Sequence, residues 1–165
     1  VYLILMAQLA SFKDPFIILL AVPPGISGVL IFLLVTNTSL NIMSLMGIIM
    51  ATGIVVSNSI LIVDFAQALR KQGRPVKEAI AEASRIRLRP ILMTTLATVL
   101  GLIPMALALE AGSEAYAPLA RAILGGLTVS GVVTVYLVPA AFLLMYGKEK
   151  SAAVPGWNET SEVQK

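Results

Sequence analysis

The residues of this sequence that could do chemistry are polar side chains set inside long apolar runs. Ser57 and Asn58 lie near the middle of the run 42–66, and Asp64 lies at its end. An amide surrounded by lipid must find a partner on another helix, because an unpaired polar group in hydrocarbon is costly. Asn58 can therefore line a pathway or serve as a structural hydrogen-bonding group, whereas hydration at the interface is the favoured interpretation of Asp64.

A second set of polar residues lies on the run 90–109 and just before it. Thr94 and Thr98 share one helix face, and Arg87 lies seven residues before Thr94 on the same side. Threonine often donates to its own backbone in a membrane helix, so both hydroxyls can be purely structural. Their alignment with Arg87 favours a hydrated, proton-accessible line instead. The residues alone indicate a helix bundle with a polar seam.

Composition argues against several other kinds of chemistry. The sequence has no cysteine and no histidine, which removes thiolate sites, thiol nucleophiles, the usual haem ligand and the commonest zinc ligand. A phosphate-binding loop of the form GxxxxGK[ST] is also missing, which argues against nucleotide hydrolysis. We therefore expect no enzyme activity, no cofactor and no metal site, and an energy input from an ion gradient or from elsewhere.

Long apolar runs must position these polar residues. Apolar residues make up 58% of the 165 residues and charged residues only 13%, against roughly 25% charged in soluble domains. Membrane lipid is therefore the expected surrounding. Since about 20 apolar residues cross a bilayer as a helix, we predict an all-α, polytopic transmembrane helix bundle. Its predicted elements are a truncated first helix at 1–11 and four spans at 16–35, 42–66, 90–109 and 118–146.

The basic residues predict the orientation of these spans. Alternating loops place eleven of the twelve Lys and Arg residues on one side, with Arg121 alone elsewhere. The positive-inside rule makes that basic side cytoplasmic. It places the loop 69–89 and a polar tail at 149–165 in the cytoplasm, and the loop 110–117 outside. Within the tail, we expect disorder over 151–165. The positive charge thus reflects topology, and we expect no nucleic-acid binding.

Local patterns predict two further features of the bundle. The segment 76–87 has apolar residues at helical spacing, which predicts a short amphipathic cytoplasmic helix along the membrane surface. Pro23 and Pro24 precede Gly25 within a span, which predicts a kink there. Small residues four apart predict close helix packing, with no transport role required. These pairs are Gly47 with Ala51, Gly53 with Ser57, and Gly126 with Ser130.

Three strings of the sequence are distinctive: GIVVSNSILIVDFA at 53–66, RLRPILMTTLATVLGLIPM at 87–105 and AGSEAYAPLARAILGGLTVSGVVTVYLVPAAF at 111–142. They resemble the C-terminal membrane region of RND superfamily efflux permeases of the acriflavine-resistance type. The resemblance extends over 1–148 and corresponds to the end of the family's eighth helix through its twelfth. The apolar N-terminus, which has neither an initiating Met nor basic residues, likewise predicts a helix cut within its span.

The resemblance implies a proton-driven, homotrimeric antiporter of the bacterial inner membrane that exports small molecules through a periplasmic adaptor and an outer-membrane channel. The missing N-terminal part of the permease would supply an acidic pair and the substrate-binding loops. Arg87 and Thr94 match polar positions of the family's proton relay, and Asn58 matches an asparagine of its tenth helix. A protein-export accessory subunit of the same superfamily and a non-transporting membrane scaffold half are the alternatives.

One position departs from the pattern of the multidrug branch. Ser57 stands where that branch has a lysine, so Ser57 is a weaker relay candidate, as are Asp64 and Thr98. The departure leaves the substrate class open between drugs, metal ions and lipid-like molecules.

Overall fold

The computed structural model describes residues 2–147, and its regular elements in that range are helices. They are α1 Tyr2–Leu9, α2 Lys13–Leu20, α3 Val22–Val35, α4 Ile42–Lys71, α5 Val76–Ala106, a 3-10 turn Ser113–Ala115, and α6 Ala117–Tyr146. The predicted all-α fold is confirmed for these residues. The polar tail predicted at 149–165 lies outside them.

Four stretches of the described chain are long and apolar enough to cross a membrane. They are Lys13–Val35, Ile42–Lys71, Val76–Ala106 and Ala117–Tyr146. Each contains most of one predicted span, and the second extends five residues beyond its predicted end at 66. Hydropathy shows where the side chains become polar, but it does not show where the helix ends. A helix that leaves the bilayer can continue because its backbone hydrogen bonds are made within the helix.

The first of these stretches is divided between α2 and α3. The break falls at Ala21, whose N–H donates to the Ile18 carbonyl at 3.1 Å. Pro23 and Pro24 follow in the first turn of α3, where a missing N–H removes no intrahelical hydrogen bond. The irregularity predicted at the prolines therefore lies just before them.

Helix α5 joins the predicted amphipathic segment and the following span into one element. It runs without interruption through Pro90, and its first turns bury Ala79, Ile80 and Ala83 in the same core cluster as Leu69 of α4. The apolar face of the segment thus packs against the end of α4. The separate surface helix predicted at 76–87 is replaced by a continuous extension of the span.

Helix α6 lies at the centre and contacts α3, α4 and α5. Its closest approach to α3 is at Gly28 and Gly125. A Cβ on Gly28 would lie 2.8 Å from the Gly125 carbonyl oxygen, and one on Gly125 would lie 2.9 Å from the Gly28 carbonyl oxygen. Only glycine at both positions permits this backbone contact. Neither residue belongs to the pairs singled out from the sequence.

Two of the predicted small-residue pairs lie along the contact between α4 and α6. A Cβ on Gly47 would lie 2.6 Å from the Ala122 Cβ, and one on Gly126 would lie 2.8 Å from the Ala51 Cβ. Ser130, one turn further along α6, is also buried. These small residues bring the backbones of α4 and α6 together along the part of α4 that precedes Asn58.

The third predicted pair lies on an open face of α4. A Cβ on Gly53 would have no atom within 4 Å among the described residues, and Ser57 is exposed. Spacing alone could not reveal this, because periodicity groups residues on one helix face without saying which helix that face meets.

Candidate functional site

An open groove of about 580 Å³ lies between α4 and α5. Its polar lining consists of Ser57 and Asn58 from α4 and Thr94 and Thr98 from α5. The remaining lining residues are apolar, apart from the backbone at Gly53. The structure thus brings together four of the six polar candidates singled out from the sequence.

The hydroxyl groups of the two groove threonines donate hydrogen bonds to backbone carbonyls of their own helix, α5. Thr94 Oγ1 donates to the carbonyl oxygens of Pro90 at 3.1 Å and Ile91 at 3.0 Å. Thr98 Oγ1 donates to the Thr94 carbonyl oxygen at 2.8 Å. Each hydroxyl oxygen keeps its capacity to accept a hydrogen bond. These residues can therefore accept from a water molecule or from a protonated carboxyl group in the groove.

Arg87 lies two helical turns from Thr94, towards the end of the bundle that carries Lys13, Arg70 and the loop 72–75, which we call the basic end. Its guanidinium carbon lies 4.9 Å from the centroid of the Phe65 ring. Phe65 follows Asn58 by seven residues just as Arg87 precedes Thr94 by seven, so this pair lies roughly 10 Å along the helix axes from the groove residues. Arg87 is therefore beside the groove and not in its lining.

The Arg87 side chain also has an unused donor. Its Nε atom is buried and has no hydrogen-bond partner among residues 2–147. A buried guanidinium donor without a partner costs free energy, so such a group is normally paired.

Asp64 does not join the groove. The structure places its side chain on the exposed surface of α4, without a hydrogen bond or an ion pair to any residue of 2–147. Ser59, next to Asn58 on α4, is buried, and its hydroxyl donates to the Val55 carbonyl at 2.9 Å. Neither side chain contributes to the groove.

A smaller cavity lies behind Asn58, enclosed by α4, α5 and α6. Its volume is about 10 Å³, and its polar lining comprises Asn58, Thr95, Ser130 and Thr134. Asn58 and Ile91 line both the cavity and the groove. Sequence reasoning missed Thr95 and Thr134, although hydroxyl residues four apart on α6 were a signal that a polar stripe faces one neighbour.

A polar cluster that the sequence did not reveal joins α2, α4 and α6 at the basic end. Asp14 is fully buried, and its Oδ1 atom accepts from the Tyr146 hydroxyl at 2.6 Å. Gln67 Nε2 donates to both carboxylate oxygens, at 2.9 and 2.8 Å. Ser11 Oγ lies 3.2 Å from the same tyrosine hydroxyl. The three helices are thus linked by side chains that donate hydrogen bonds to the Asp14 carboxylate.

Two cations flank the aromatic member of this cluster. The Arg70 guanidinium carbon lies 4.3 Å from the centroid of the Tyr146 ring, and Lys13 Nζ lies 5.2 Å from it. Cations over an aromatic face are attracted by its negative quadrupole. They also offset the negative charge of Asp14 in the same region.

Four apolar spans with polar groups gathered between two of them define a polytopic α-helical membrane protein. A family model described as the AcrB/AcrD/AcrF family matches residues 1–146. The chain therefore belongs to this family of RND efflux permeases.

Curated relatives and a solved structure agree with this assignment. The chain is 42% identical to multidrug resistance protein MdtC of Erwinia amylovora over 158 residues, which cover 95% of this chain and 15% of the relative. It is 39% identical to MdtC of Erwinia tasmaniensis over 163 residues, covering 98% of this chain and 16% of the relative. It also resembles the crystal structure of a heavy metal efflux pump, with a TM-score of 0.79 and 34% identity over 88% of this chain and 15% of that one.

Proposed function

We propose that this chain forms the C-terminal membrane helices of a proton-driven efflux permease that exports small molecules across the bacterial inner membrane. The observation that carries the proposal is the groove between α4 and α5, where Asn58, Thr94 and Thr98 meet. Because the chain spans about 15% of the relatives that it matches, the activity would belong to a larger protein.

The groove is suited to guiding a proton that another helix carries. Amide and threonine side chains do not titrate near neutral pH, so the groove's own lining cannot load and release a proton. A carboxylate on a helix of the missing N-terminal part would supply that step. Arg87, two helical turns from Thr94, would have to move towards the groove to keep that carboxylate charged, since an opposite charge acts over about 4–6 Å.

The groove lining among the described residues includes Ser57 and no lysine. The family resemblance places Ser57 at the position where the multidrug branch has a lysine. We infer that either an Arg87 side chain that moves inward or a cation from the missing part balances the carboxylate charge. A neutral groove wall alone would leave two neighbouring acids to repel each other, and one of them would then hold its proton too tightly to release it.

The relatives support efflux as the activity but differ in their cargo. Two are named for multidrug resistance, and the solved structure is a heavy metal efflux pump. Since both kinds share these helices at 34–42% identity, we propose that the helices couple transport to protons and that cargo is selected elsewhere. The family resemblance further supports a homotrimer working with a periplasmic adaptor and an outer-membrane channel.

The proposed orientation places the basic end and the C-terminus in the cytoplasm. It follows from the positive-inside rule, with Arg121 at the opposite, periplasmic end of α6.

The test is transport by the complete permease that contains this chain, reconstituted into vesicles with an imposed pH gradient. Efflux of a dye substrate should depend on the gradient and disappear in the Asn58→Ala, Thr94→Ala double variant. Collapsing the gradient with a protonophore provides the control. Gradient-dependent efflux at the unmodified rate in the double variant would exclude the groove from the proton path.

A further inference from the structure

The small cavity behind Asn58 is lined by polar side chains from three different helices. Asn58 comes from α4, Thr95 from α5, and Ser130 and Thr134 from α6. The cavity volume of about 10 Å³ is close to the smallest space that holds one water molecule. Ser130 and Thr134 are only 3% and 5% exposed, so outside solvent does not reach their hydroxyls freely.

These side chains are poorly satisfied compared with other hydroxyls in the spans. Four hydroxyls outside the cavity donate to the carbonyl four residues earlier at 2.7–2.9 Å: Thr52, Ser59, Thr98 and Thr128. By contrast, Asn58, Thr95 and Thr134 make no side-chain hydrogen bond with any residue in the described range. Ser130 Oγ reaches the Leu127 carbonyl oxygen only at 3.4 Å. Polar side chains without a partner among the described residues therefore line one small, largely buried space.

A backbone acceptor adds to this set. Pro139 has no N–H, so the carbonyl of Val135 lacks its α-helical donor. Val135 also lines the cavity. A buried water needs about two to four polar partners, and the cavity wall provides more than that number.

We propose that this cavity binds one internal water molecule, which bridges the Asn58 amide to the hydroxyls of Thr95, Ser130 and Thr134. Every lining side chain is neutral, so a bare cation here would lack a compensating charge, whereas water satisfies donors and acceptors alike. By hydrogen bonding to the Asn58 amide on its cavity side, the water restricts the orientations of that side chain. Thr95 and Thr134 are then positioning residues for Asn58, a step that rests on the proposed proton path.

Gly131 offers a way to fill the cavity without moving the backbone. It lines the cavity, and an added Cβ would meet its nearest neighbour, Thr95 Cγ2, at 3.8 Å. In a dry cavity Gly131→Ala should raise the melting temperature of the complete permease, because it fills space and favours the helix. In a hydrated cavity the methyl group displaces the water and leaves the polar groups unpaired. We expect the melting temperature to fall.

A background without the hydroxyls tests whether they cause this effect. In the Thr95→Val, Thr134→Val double variant the cavity no longer holds the water firmly, so adding Gly131→Ala should leave the melting temperature unchanged or raise it. Thr128→Val is the matched control, because its hydroxyl bonds the Leu124 carbonyl at 2.7 Å and does not line the cavity. A rise in melting temperature on Gly131→Ala in the otherwise unmodified permease would overturn the water site.

Transport then tests the link to Asn58 separately. Thr134→Ser keeps a hydroxyl and should retain proton-coupled efflux, whereas Thr134→Val should reduce it at equal membrane abundance. If Gly131→Ala raises the melting temperature while Asn58→Ala still abolishes efflux, the water site is wrong and the proton path stands. If Gly131→Ala lowers the melting temperature while Asn58→Ala leaves efflux intact, the water site stands and its role in the proton path is wrong.

Discussion

The hydroxyl of Tyr146, the last residue of α6, donates at 2.6 Å to the carboxylate of Asp14 in the first turn of α2. Because Asp14 is fully buried, this hydrogen bond and those of Gln67 supply its polar contacts with α4 and α6. The basic end is thus closed by a shared carboxylate, while α4 and α5 remain open to a groove further along.

The first prediction concerns the stability of this cluster. Tyr146→Phe removes a hydrogen bond to a charged group and should lower the stability of the complete permease by about 1.5–3 kcal/mol. Asp14→Ala should cost more, because it leaves the donors of Gln67 and Tyr146 without their acceptor. The measurement is the thermal unfolding midpoint in detergent.

Tyr136→Phe on the same helix is the control for that loss. The residue is 74% exposed, and its hydroxyl makes no hydrogen bond among the described residues. The unfolding midpoint should stay near that of the unmodified protein. Equal shifts for Tyr136→Phe and Tyr146→Phe would contradict a specific role for the hydrogen bond to Asp14.

A second prediction concerns Arg121 at the other end of α6. Its Nε donates to the Ala106 carbonyl at the end of α5, and its Nη1 donates to Thr38 Oγ1, each at 2.9 Å. Arg121→Met removes both bonds and should destabilise the bundle by about 1–3 kcal/mol. Arg121→Lys should recover only part of this, since an ammonium lacks the planar fork that reaches two acceptors. Full recovery by lysine would show that charge alone matters.

Close packing of α3 on α6 provides a third prediction. Gly28→Ala would place a Cβ 2.5 Å from the Val129 Cβ and 2.8 Å from the Gly125 carbonyl oxygen, so the helices must separate. We expect reduced assembly in the membrane, measured as the folded fraction after size-exclusion chromatography. Gly101→Ala is the control, because its Cβ meets no described atom within 4 Å. Unchanged assembly in the Gly28 variant would contradict the observed approach of the two helices.

These contacts show what could and could not be predicted from the sequence. Apolar runs locate the spans because the bilayer requires a fixed length of helix. Helical periodicity also places Thr94 and Thr98 on one face. Periodicity cannot say which helix that face meets. It therefore could not distinguish Gly53, which lines the open groove, from Gly47, which packs against α6.

The spacing of residues along the sequence could not predict contacts between distant parts of the chain. Asp14 and Gln67 are 53 residues apart, and Gln67 and Tyr146 are 79 residues apart. Each lies near a predicted span boundary, where a polar residue needs no special explanation. Only their convergence in the folded bundle distinguishes them from ordinary interfacial side chains. The Asn58–Thr94 groove was more accessible because polar groups at membrane depth are unusual in themselves.

A fourth prediction tests orientation. The sequence has no cysteine, so a single introduced thiol reports its own position. Ser113→Cys, between α5 and α6, should react with an impermeant thiol reagent in intact cells. Gln72→Cys, in the exposed turn after α4, should react only after the cells are opened. The reverse pattern would invert the proposed topology.

The last prediction concerns Thr94 in the groove. Its hydroxyl proton is already donated to backbone carbonyls, so its contribution to a proton path is as an acceptor of a hydrogen bond from water or from a protonated carboxyl group. Thr94→Ala removes that acceptor and should slow proton-coupled efflux roughly tenfold, the effect of about 1.4 kcal/mol on a rate. Thr94→Ser should restore most of it.

The choice of control matters for this measurement. Thr95 points about 100° away from Thr94 on the helix, but it lines the cavity behind Asn58 and is therefore not neutral. Thr128→Ala is the better control, because its hydroxyl likewise bonds its own helix but lies in neither space. Asn58→Ala is the companion variant, since a hydrogen bond of a polar side chain between membrane helices contributes only about 0.6 kcal/mol on average. The Asn58→Ala permease should therefore still fold, and loss of its efflux at matched membrane abundance would have to come from the proton path. Near-normal efflux in the Thr94→Ala variant would remove Thr94 from the mechanism.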